Sequence, residues 1–335
     1  MVLLILNVFL LISTLIVRFA IGSHMYFQPM YYQPNQKPLF TEVRPEWIDL
    51  TSTNATMRYS DSLKLTLYAN FDSPILPTSL KLTNSTQDIL RDVKLSGGQA
   101  KYSARQLLIQ PDFQFYPGRL QLELSYTNSQ GEQRTINKVA DLVFEDDFRS
   151  FPAPSDSKDQ LWFYSQGIEV AKAESGSFGL ICKPIDIEKT SLVFGKSYQN
   201  SAEVSVDFRP LTTTPNLSVS FDERTAFIIG DGKDNLLRFK HFVGKGHGYH
   251  EMRWPIPHLL AGRLYKAKLE RNLNNFKIRI TDSDEKEIAS YSYSDPTEVR
   301  SADTHPYVAF WVFSNRGHLH APAATEIRKV SIFFP

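Results

Sequence analysis

Short runs in which apolar and polar residues alternate recur along most of the chain, and this pattern limits the possible folds more than any other feature. Examples are "SLKLTLYA" (62–69), "RLQLELSY" (119–126) and "AEVSVDF" (202–208). A period of two is typical of strands with one buried face. Turn-forming segments such as "TNSQGEQ" (127–133) separate the runs, and the sequence contains no long amphipathic helical pattern. The sequence therefore predicts an all-β protein.

The same pattern divides the chain into two predicted domains. With 335 residues, the chain is longer than one ordinary small domain. About seven alternating runs fill residues 44–140, which fits an immunoglobulin-like β-sandwich, although the sequence lacks the Cys-Trp-Cys core of antibody domains. About a dozen further runs follow, beginning with "LVFEDDF" (142–148) and ending at Pro335. That number favours a two-sheet jelly roll over residues 141–335.

The N-terminal 17 residues carry no charge and are followed by Arg18. With the small residues Ala20 and Gly22 ahead of Ser23, residues 1–22 are typical of a secretory signal peptide. No Lys or Arg precedes the apolar run, and its length is near the minimum for crossing a bilayer. An uncleaved signal anchor is therefore the alternative, and only then would the chain contact a membrane. Residues 23–43 form a Tyr/Gln/Pro-rich extended segment, whose "GSHM" start coincides with a common cloning remnant.

Three glycosylation sequons agree with an exported protein: they begin at Asn54, Asn84 and Asn216. A single cysteine, Cys182, excludes an internal disulfide, and its apolar neighbours predict a buried, unreactive thiol. The 37 basic and 36 acidic residues leave a net charge of +1, which argues against nucleic acid as the main partner. These features predict a secreted glycoprotein.

Three segments of the second half carry a resemblance to a known fold. They are the opening "LVFEDDF", the paired runs "YKAKLERNLNNFKIRI" (265–280) and the closing "ATEIRKVSIFF" (324–334). Together they resemble the concanavalin A-like (laminin G/glucanase-type) jelly roll, and an immunoglobulin-like domain ahead of it is similar in layout to invertebrate β-1,3-glucan recognition proteins. The resemblance implies that the first and last strands pair, and that "VAFWVFS" (308–314) lies next to a glycan-binding face.

The evidence for catalysis is weak. Glucanases of this fold place two carboxylates on one strand with a Glu-x-Asp-x-x-Glu motif, and this sequence lacks it. The segment "KHFVGKGHGYHEMRW" (240–254) contains three histidines, but a strand would place His247 and His250 on opposite faces. No HExxH or CxxC pattern supports zinc. An extracellular polysaccharide hydrolase or lyase that uses this His/Tyr/Arg loop, completed by His318, is the enzyme alternative.

Ligand binding has more support, because glycan sites combine aromatic rings with side chains that hydrogen-bond hydroxyl groups. We predict ligand binding by two groups of residues: Tyr249, His250, Arg253 and Trp254 in the first, and Asn315, Arg316 and His318 in the second. Trp311 precedes the second group, and its apolar neighbours favour a buried ring.

A structural calcium ion is the only cofactor that the sequence suggests. Asp146 and Asp147, next to Glu145, provide the carboxylate oxygens that calcium prefers. The alternative is a solvated strand end. The favoured overall interpretation is a non-catalytic protein that recognises an extracellular glycan or glycoprotein, with a structural adhesion protein as a further alternative.

Overall fold

The structure is a computed structural model, and it describes a defined part of the chain. The described residues are 38–42, 44, 47–52, 55–59, 65–84, 89–93, 100–103, 105–111, 115–149, 162–172, 178–183, 189–198, 201–212, 216–222, 224–230, 236–242, 249–294, 306–313 and 324–335. Every regular secondary-structure element within these ranges is a β-strand, which confirms the all-β prediction. No helix in these ranges is a candidate for crossing a membrane. The predicted signal peptide lies outside the described residues.

Nine of the described strands lie between residues 47 and 146. They are β1 (Trp47–Asp49), β2 (Ala55–Tyr59), β3 (Thr66–Asn70), β4 (Ile75–Asn84), β5 (Ile89–Val93), β6 (Ala100–Tyr102), β7 (Gln106–Ile109), β8 (Gly118–Asn128) and β9 (Gln133–Asp146).

Fourteen more described strands lie between residues 162 and 333. They are β10 (Trp162–Tyr164), β11 (Ile168–Lys172), β12 (Phe178–Cys182), β13 (Lys189–Ser197), β14 (Ser201–Pro210), β15 (Leu217–Ser220), β16 (Thr225–Ile229), β17 (Leu236–Phe242), β18 (Tyr249–Pro255), β19 (Tyr265–Asn272), β20 (Asn275–Asp282), β21 (Glu287–Ser294), β22 (Tyr307–Phe313) and β23 (Thr325–Phe333).

The N-terminal half contributes two sets of paired strands. One is a four-stranded sheet in the order β1-β3-β7-β6, and the other runs β9-β8-β4-β5 with β2 parallel to β9. Alternate residues of both sets are buried, including Leu67 and Ile109 in the first and Leu80 and Leu122 in the second. These side chains belong to the same hydrophobic core, whose removal from water stabilises the fold.

Strand β9 connects the two halves of the chain without a loop. Its first ten residues, 133–142, pair with β8, and residues 144–146 pair with β23. The predicted domain boundary at 140/141 therefore falls inside a single 14-residue strand. The pairing of Phe144 with Ile332 joins the opening and closing segments of the second half, as the resemblance implies. Through β9, strands from both halves form one twelve-stranded sheet.

The C-terminal half is built from two sheets. A seven-stranded sheet has the order β10-β13-β22-β15-β16-β17-β18, and the second half's part of the twelve-stranded sheet runs β21-β20-β19-β14-β23. Strict alternation is clearest in β19, where every second residue from Tyr265 is buried. Trp162 and Phe194 pack edge-to-face, 5.2 Å between ring centroids, in the core that these sheets share.

One buried ion pair joins the two sheets of the C-terminal half. Arg271 of β19 donates from Nη1 to Asp222 Oδ2 at 2.6 Å and to Tyr198 Oη at 2.9 Å. Asp222 lies between β15 and β16 of the other sheet, and its Oδ1 accepts hydrogen bonds from the amides of Arg224 and Thr225. Both charged side chains are at most 2% exposed, and the hydrogen bonds from Arg271 and from the two amides offset the cost of burying the Asp222 carboxylate.

Cys182 confirms the prediction of a buried thiol. It lies at the end of β12 and is 2% exposed. Burial raises its pKa to about 12, so the thiol is protonated at neutral pH. Because the thiolate is the reactive species, a nucleophilic role for Cys182 has no support.

Candidate functional site

Strand β18 separates the first predicted ligand-binding group into two sets. Trp254 lies opposite Leu237 and His250 lies opposite His241, and both partners face the core. Arg253 lies opposite Arg238 and faces the other side of the sheet. Tyr249 begins the strand, paired with Phe242. His250 and Arg253 therefore do not share a face.

Trp254 has a structural role at the open edge of the sandwich. Its ring stacks on Tyr291 of β21, with centroids 5.1 Å apart and an angle of 18° between the planes. The Tyr291 hydroxyl donates a hydrogen bond to the Pro255 carbonyl at 2.9 Å. Trp254 is thus half-buried between the two sheets, which leaves less of its ring for a ligand.

The outer face of the seven-stranded sheet, meaning the side away from the core, carries the other half of the candidate site. Strand register places six residues in one row across six strands. In order from β13 to β18, the row is Ser191, Trp311, Ser218, Ile228, Arg238 and Arg253. Their neighbours along each strand, such as Phe310, Leu217 and Leu237, are core residues. Alternation therefore places the row on the side away from the core, where Ser218 and Ile228 in its middle are nevertheless buried, with 2% and 8% exposed.

Trp311 is the aromatic centre of this face. Its sequence neighbours Phe310 and Val312 are fully buried, whereas Trp311 itself is half-buried. The expectation of a buried ring is corrected, because the alternation that buries its neighbours places Trp311 on the outer face. Small side chains, Ser218 and Ala309 among them, surround it in the register of the sheet.

A charged cluster occupies the β17–β18 edge of the outer face. The Oε1 atom of Glu251 accepts hydrogen bonds from Arg253 Nε at 2.6 Å and from Arg238 Nη1 at 3.2 Å. Lys240 lies directly opposite Glu251 in the neighbouring strand. We call Arg238, Lys240, Glu251 and Arg253 the edge cluster. Three cations and one carboxylate give it a formal charge of +2 (3 − 1).

The edge cluster shifts the proton equilibria of its members. Burial alone would raise the pKa of Glu251, but the hydrogen bonds from Arg253 and Arg238 and the charge of Lys240 outweigh it and lower that pKa. Burial lowers the pKa of Lys240, and the charges of Arg238 and Arg253 act in the same direction. Glu251 is thereby fixed as a carboxylate in a cationic environment.

Sequence reasoning found Arg253 and missed its partners. Arg238 and Lys240 lie in "LLRFKHF", where alternation assigns them to the face opposite Leu237 and Phe239. That signal was present in the sequence. The strand register that brings Arg238 next to Arg253 and into line with Trp311 was not.

The second predicted ligand-binding group lies outside the described residues. Asn315, Arg316 and His318 follow β22, and the structure does not describe them. The ligand-binding role of these residues stays a prediction.

The predicted calcium site is engaged in internal hydrogen bonds. Asp146 is 8% exposed; its Oδ1 accepts the Phe148 amide at 2.6 Å and its Oδ2 accepts the Trp162 indole N–H at 2.7 Å. Asp147 forms an ion pair with Arg149 at 2.8 Å. Among the described residues, no group of three or more His, Cys, Asp or Glu side chains is placed to hold a metal ion. Calcium binding here stays a prediction, and it would displace the Phe148 and Trp162 bonds.

The sequon asparagines differ in what the structure describes. Asn54 lies outside the described residues. The Asn84 amide donates to the Tyr116 carbonyl at 3.1 Å, and Asn216 is 4% exposed with its amide 3.5 Å from the Phe313 carbonyl. Glycosylation stays a prediction, and at Asn84 and Asn216 it requires the amide to leave these positions.

A groove of about 440 Å³ lies on the outer face of the twelve-stranded sheet, where strands of both halves meet. Charged side chains dominate its lining. They are Asp141, Glu145, Glu203, Asp207 and Glu270, together with Lys266, Lys268 and Lys329. Partial burial raises the pKa of Glu203, and the nearby charges of Glu270 and Asp141 raise it further. Arg119 pairs with Asp141 at 3.0 Å and Lys277 with Glu270 at 3.5 Å, so the charges in and around this groove are balanced, unlike those of the edge cluster.

Comparison with known proteins gives similarity at the level of overall structure. No protein-family model and no curated sequence matches the chain. The VIP36 exoplasmic/lumenal domain in its Ca²⁺-bound form is similar with a TM-score of 0.43 and 9% identity, covering 57% of this chain and 90% of that chain. Peanut lectin with a nine-residue peptide gives 0.37 and 9%, covering 57% and 95%. A protein of unknown function from Shewanella oneidensis MR-1 gives 0.40 and 14%, covering 57% and 84%. With all TM-scores below 0.5, these similarities assign neither a family nor a ligand to this chain.

Proposed function

We propose that this chain is a secreted, lectin-like protein that binds an extracellular glycan or glycoprotein without catalysing a reaction. The binding surface is the outer face of the seven-stranded sheet. The observation that carries the proposal is the row that begins with Ser191 and half-buried Trp311 and ends with two arginines. An aromatic ring supplies a stacking surface, and Ser191 and the arginines supply hydrogen bonds to hydroxyl groups. Ser218 and Ile228, between them, are buried.

The architecture in this proposal is an immunoglobulin-like sandwich followed by a concanavalin A-like jelly roll. The order β1-β3-β7-β6 beside β9-β8-β4-β5 corresponds to strands A-B-E-D and G-F-C-C′ of immunoglobulin domains, which supports the first assignment. Two stacked sheets with paired first and last strands support the second. Residues 1–22 act as the signal peptide in this proposal, with glycosylation at the predicted sequons.

The position of the histidine supports binding over catalysis. The enzyme alternative requires His250 and Arg253 to reach the same substrate atoms, since a base and a charge-stabilising cation act on one reacting centre. In β18 these two residues point to opposite sides of the sheet. The remaining candidate for such a site, His318, is outside the described residues.

A glycan-array screen of the purified protein tests this function, with products checked by mass spectrometry. We expect saturable binding without product. Because stacking on one aromatic ring contributes roughly 0.5–1.5 kcal/mol, Trp311→Leu should weaken binding up to about tenfold. The matched control is His250→Ala, which lies on the other side of the sheet and should bind within about twofold of wild type.

Two outcomes would contradict the proposal. Cleaved glycan that disappears in His250→Ala would establish an enzyme. Absence of binding to every glycan, by a protein whose circular dichroism shows a folded β structure, would favour the adhesion alternative.

A further inference from the structure

We propose that the glycan recognised by this protein is anionic, and that the edge cluster binds its sulfate or carboxylate groups while a neighbouring sugar ring lies on Trp311. This inference deepens the proposed function and rests on it. It specifies the class of ligand and places two parts of that ligand at different positions along the row: a sugar ring at Trp311 and an acidic group at the arginines.

The charge of the edge cluster is local. The whole chain has a net charge of +1, whereas Arg238, Lys240, Glu251 and Arg253 sum to +2 within two adjacent strands. Both arginines donate to the same oxygen of Glu251, so a single carboxylate atom is shared by two guanidinium groups. A guanidinium presents its N–H donors in a planar fork that suits the oxygens of a carboxylate or a sulfate. The Arg253 side chain is 59% exposed, so an anion in solution can reach it.

The degree of burial strengthens the attraction for an anion. The side chains of Arg238 and Glu251 are 17% and 8% exposed, and that of Arg253 is 59% exposed. Arg238 and Glu251 are thus largely shielded from water, whereas Arg253 is accessible to a ligand. Charges interact more strongly where water is partly excluded. Mutual repulsion contributes to the lowered pKa of Lys240. A bound anion would relieve that repulsion, and its binding would therefore raise the pKa of Lys240.

The distance to Trp311 fits an extended ligand. Four strand-to-strand steps separate Trp311 in β22 from Arg253 in β18. At roughly 4.8 Å per step, the two ends of the row are about 19 Å apart. A single sugar ring cannot contact both ends. An oligosaccharide lying perpendicular to the strands can place one ring on Trp311 and an acidic group on the arginines.

The groove on the other outer face is a poorer site for an anionic ligand. Five carboxylates and three lysines line it, and two of those lysines pair with acids: Lys329 with Glu145 at 2.9 Å and Lys266 with Asp207 at 3.8 Å. Its positive charges are thus balanced by carboxylates. Lys268 of this groove is exposed and belongs to the opposite sheet, so it provides a charge-matched control position.

The test compares three purified polysaccharides with the full chain by calorimetry or biolayer interferometry. Dextran is neutral, dextran sulfate carries only sulfate esters, and hyaluronan carries only carboxylates. We expect the wild-type protein to bind at least one of the two anionic polymers at least tenfold more tightly than dextran, with the preference reduced by added salt. The arm that binds identifies which acidic group the cluster prefers.

Variants locate the binding. Because one charged hydrogen bond typically contributes about tenfold or more in affinity, Arg253→Gln should weaken binding to the preferred anionic polymer about tenfold, and Arg253→Gln with Lys240→Gln more. Lys268→Gln removes the same charge from the other sheet and should change affinity less than about twofold. Arg253 is largely exposed, so its replacement leaves the fold intact, as thermal unfolding will show.

Each unfavourable outcome has a distinct meaning. Equal weakening by Lys268→Gln and Arg253→Gln would show attraction to net charge alone and overturn the inference. Neutral glycans bound as tightly as anionic ones, with no effect of Arg253→Gln, would overturn it while leaving the proposed function standing. No binding to any polysaccharide or to the glycan array would overturn both.

Discussion

The edge cluster lies on β17 and β18 of the seven-stranded sheet, whereas the charged groove of the twelve-stranded sheet is lined by residues of β9, β14, β19 and β23. The edge cluster has three cations for one carboxylate. The groove is lined by five carboxylates and three lysines, and Arg119 and Lys277 beside it pair with Asp141 and Glu270. The edge cluster therefore has an excess of positive charge, whereas the charges in and around the groove are balanced.

Two glutamates show what this difference means for chemistry. Hydrogen bonds from Arg253 and Arg238 lower the pKa of Glu251 in spite of its burial, whereas partial burial raises the pKa of Glu203 and the charge of Glu270 raises it further. Both glutamates belong to regular strands, so secondary structure does not explain the contrast. Arg253 lies two residues along the same strand as Glu251, and Glu270 lies opposite Glu203 on a neighbouring strand. Burial and charged neighbours together thus set the pKa of each glutamate.

The largest expected effect is a loss of stability, which would affect both outer faces because both depend on the packing of the two sheets. Arg271→Met leaves the buried Asp222 carboxylate without its cation, which costs about 3–5 kcal/mol in the free energy of unfolding. Urea denaturation followed by circular dichroism measures this loss. Arg279→Met is the control, since it breaks an exposed pair with Glu287 and should cost less than about 1 kcal/mol.

The double variant Arg271→Met with Asp222→Leu separates pairing from burial. Replacing both charges removes the uncompensated carboxylate, so much of the lost stability should return. Equal destabilisation by Arg271→Met and by Arg279→Met would show that the buried pair contributes no more than a surface pair.

An intermediate effect is expected on the cationic face. Glu251→Gln removes the carboxylate that two arginines share, and at pH 7 we expect a loss of about 1–2 kcal/mol. The folded-state pKa of Glu251 lies below its ordinary value of 4.5, so its stabilisation is present above that value and is lost as the pH falls through the lowered pKa. Denaturation midpoints of wild type and variant should therefore converge at low pH. A difference that stays constant with pH would contradict this assignment.

The sequence predicted the strands well and their neighbours poorly. The alternation in "AEVSVDF" lies within β14, and "YKAKLERNLNNFKIRI" corresponds to β19 and β20. Periodicity is a local property of the chain, so it locates strands and assigns each residue to a face. Applied strictly, it would also have separated Arg253 from His250 and Trp254.

Cross-strand pairing depends on residues that are far apart in sequence. Trp311 lies beside Ser218 and in one row with Arg238, and Arg271 meets Asp222 across 49 positions. Nothing in a single alternating run specifies its neighbour, because many strands of this chain have equivalent patterns. The predicted site was therefore a set of residues close in sequence, whereas the structure assembles its candidate site from six strands.

The smallest expected effect sharpens the contrast between the two glutamates, because it has the opposite sign. The folded-state pKa of Glu203 lies above its ordinary value of 4.5, so the folded protein binds its proton more tightly than the unfolded chain does. Stability then falls as the pH rises from that value through the raised pKa, and the penalty persists at pH 7. Glu203→Gln removes it and should stabilise the protein at pH 7 by a few tenths of a kcal/mol, since the exposed side chain is screened by solvent. Below about pH 4, where Glu203 is protonated and as neutral as the glutamine that replaces it, the difference between wild type and variant should vanish.

Denaturation curves of Glu203→Gln and Glu251→Gln, each recorded at pH 7 and below about pH 4, provide the measurement. Destabilisation by both variants at pH 7 would mean that the carboxylate of Glu203 stabilises the fold, and the predicted difference in sign between the two glutamates would then be wrong.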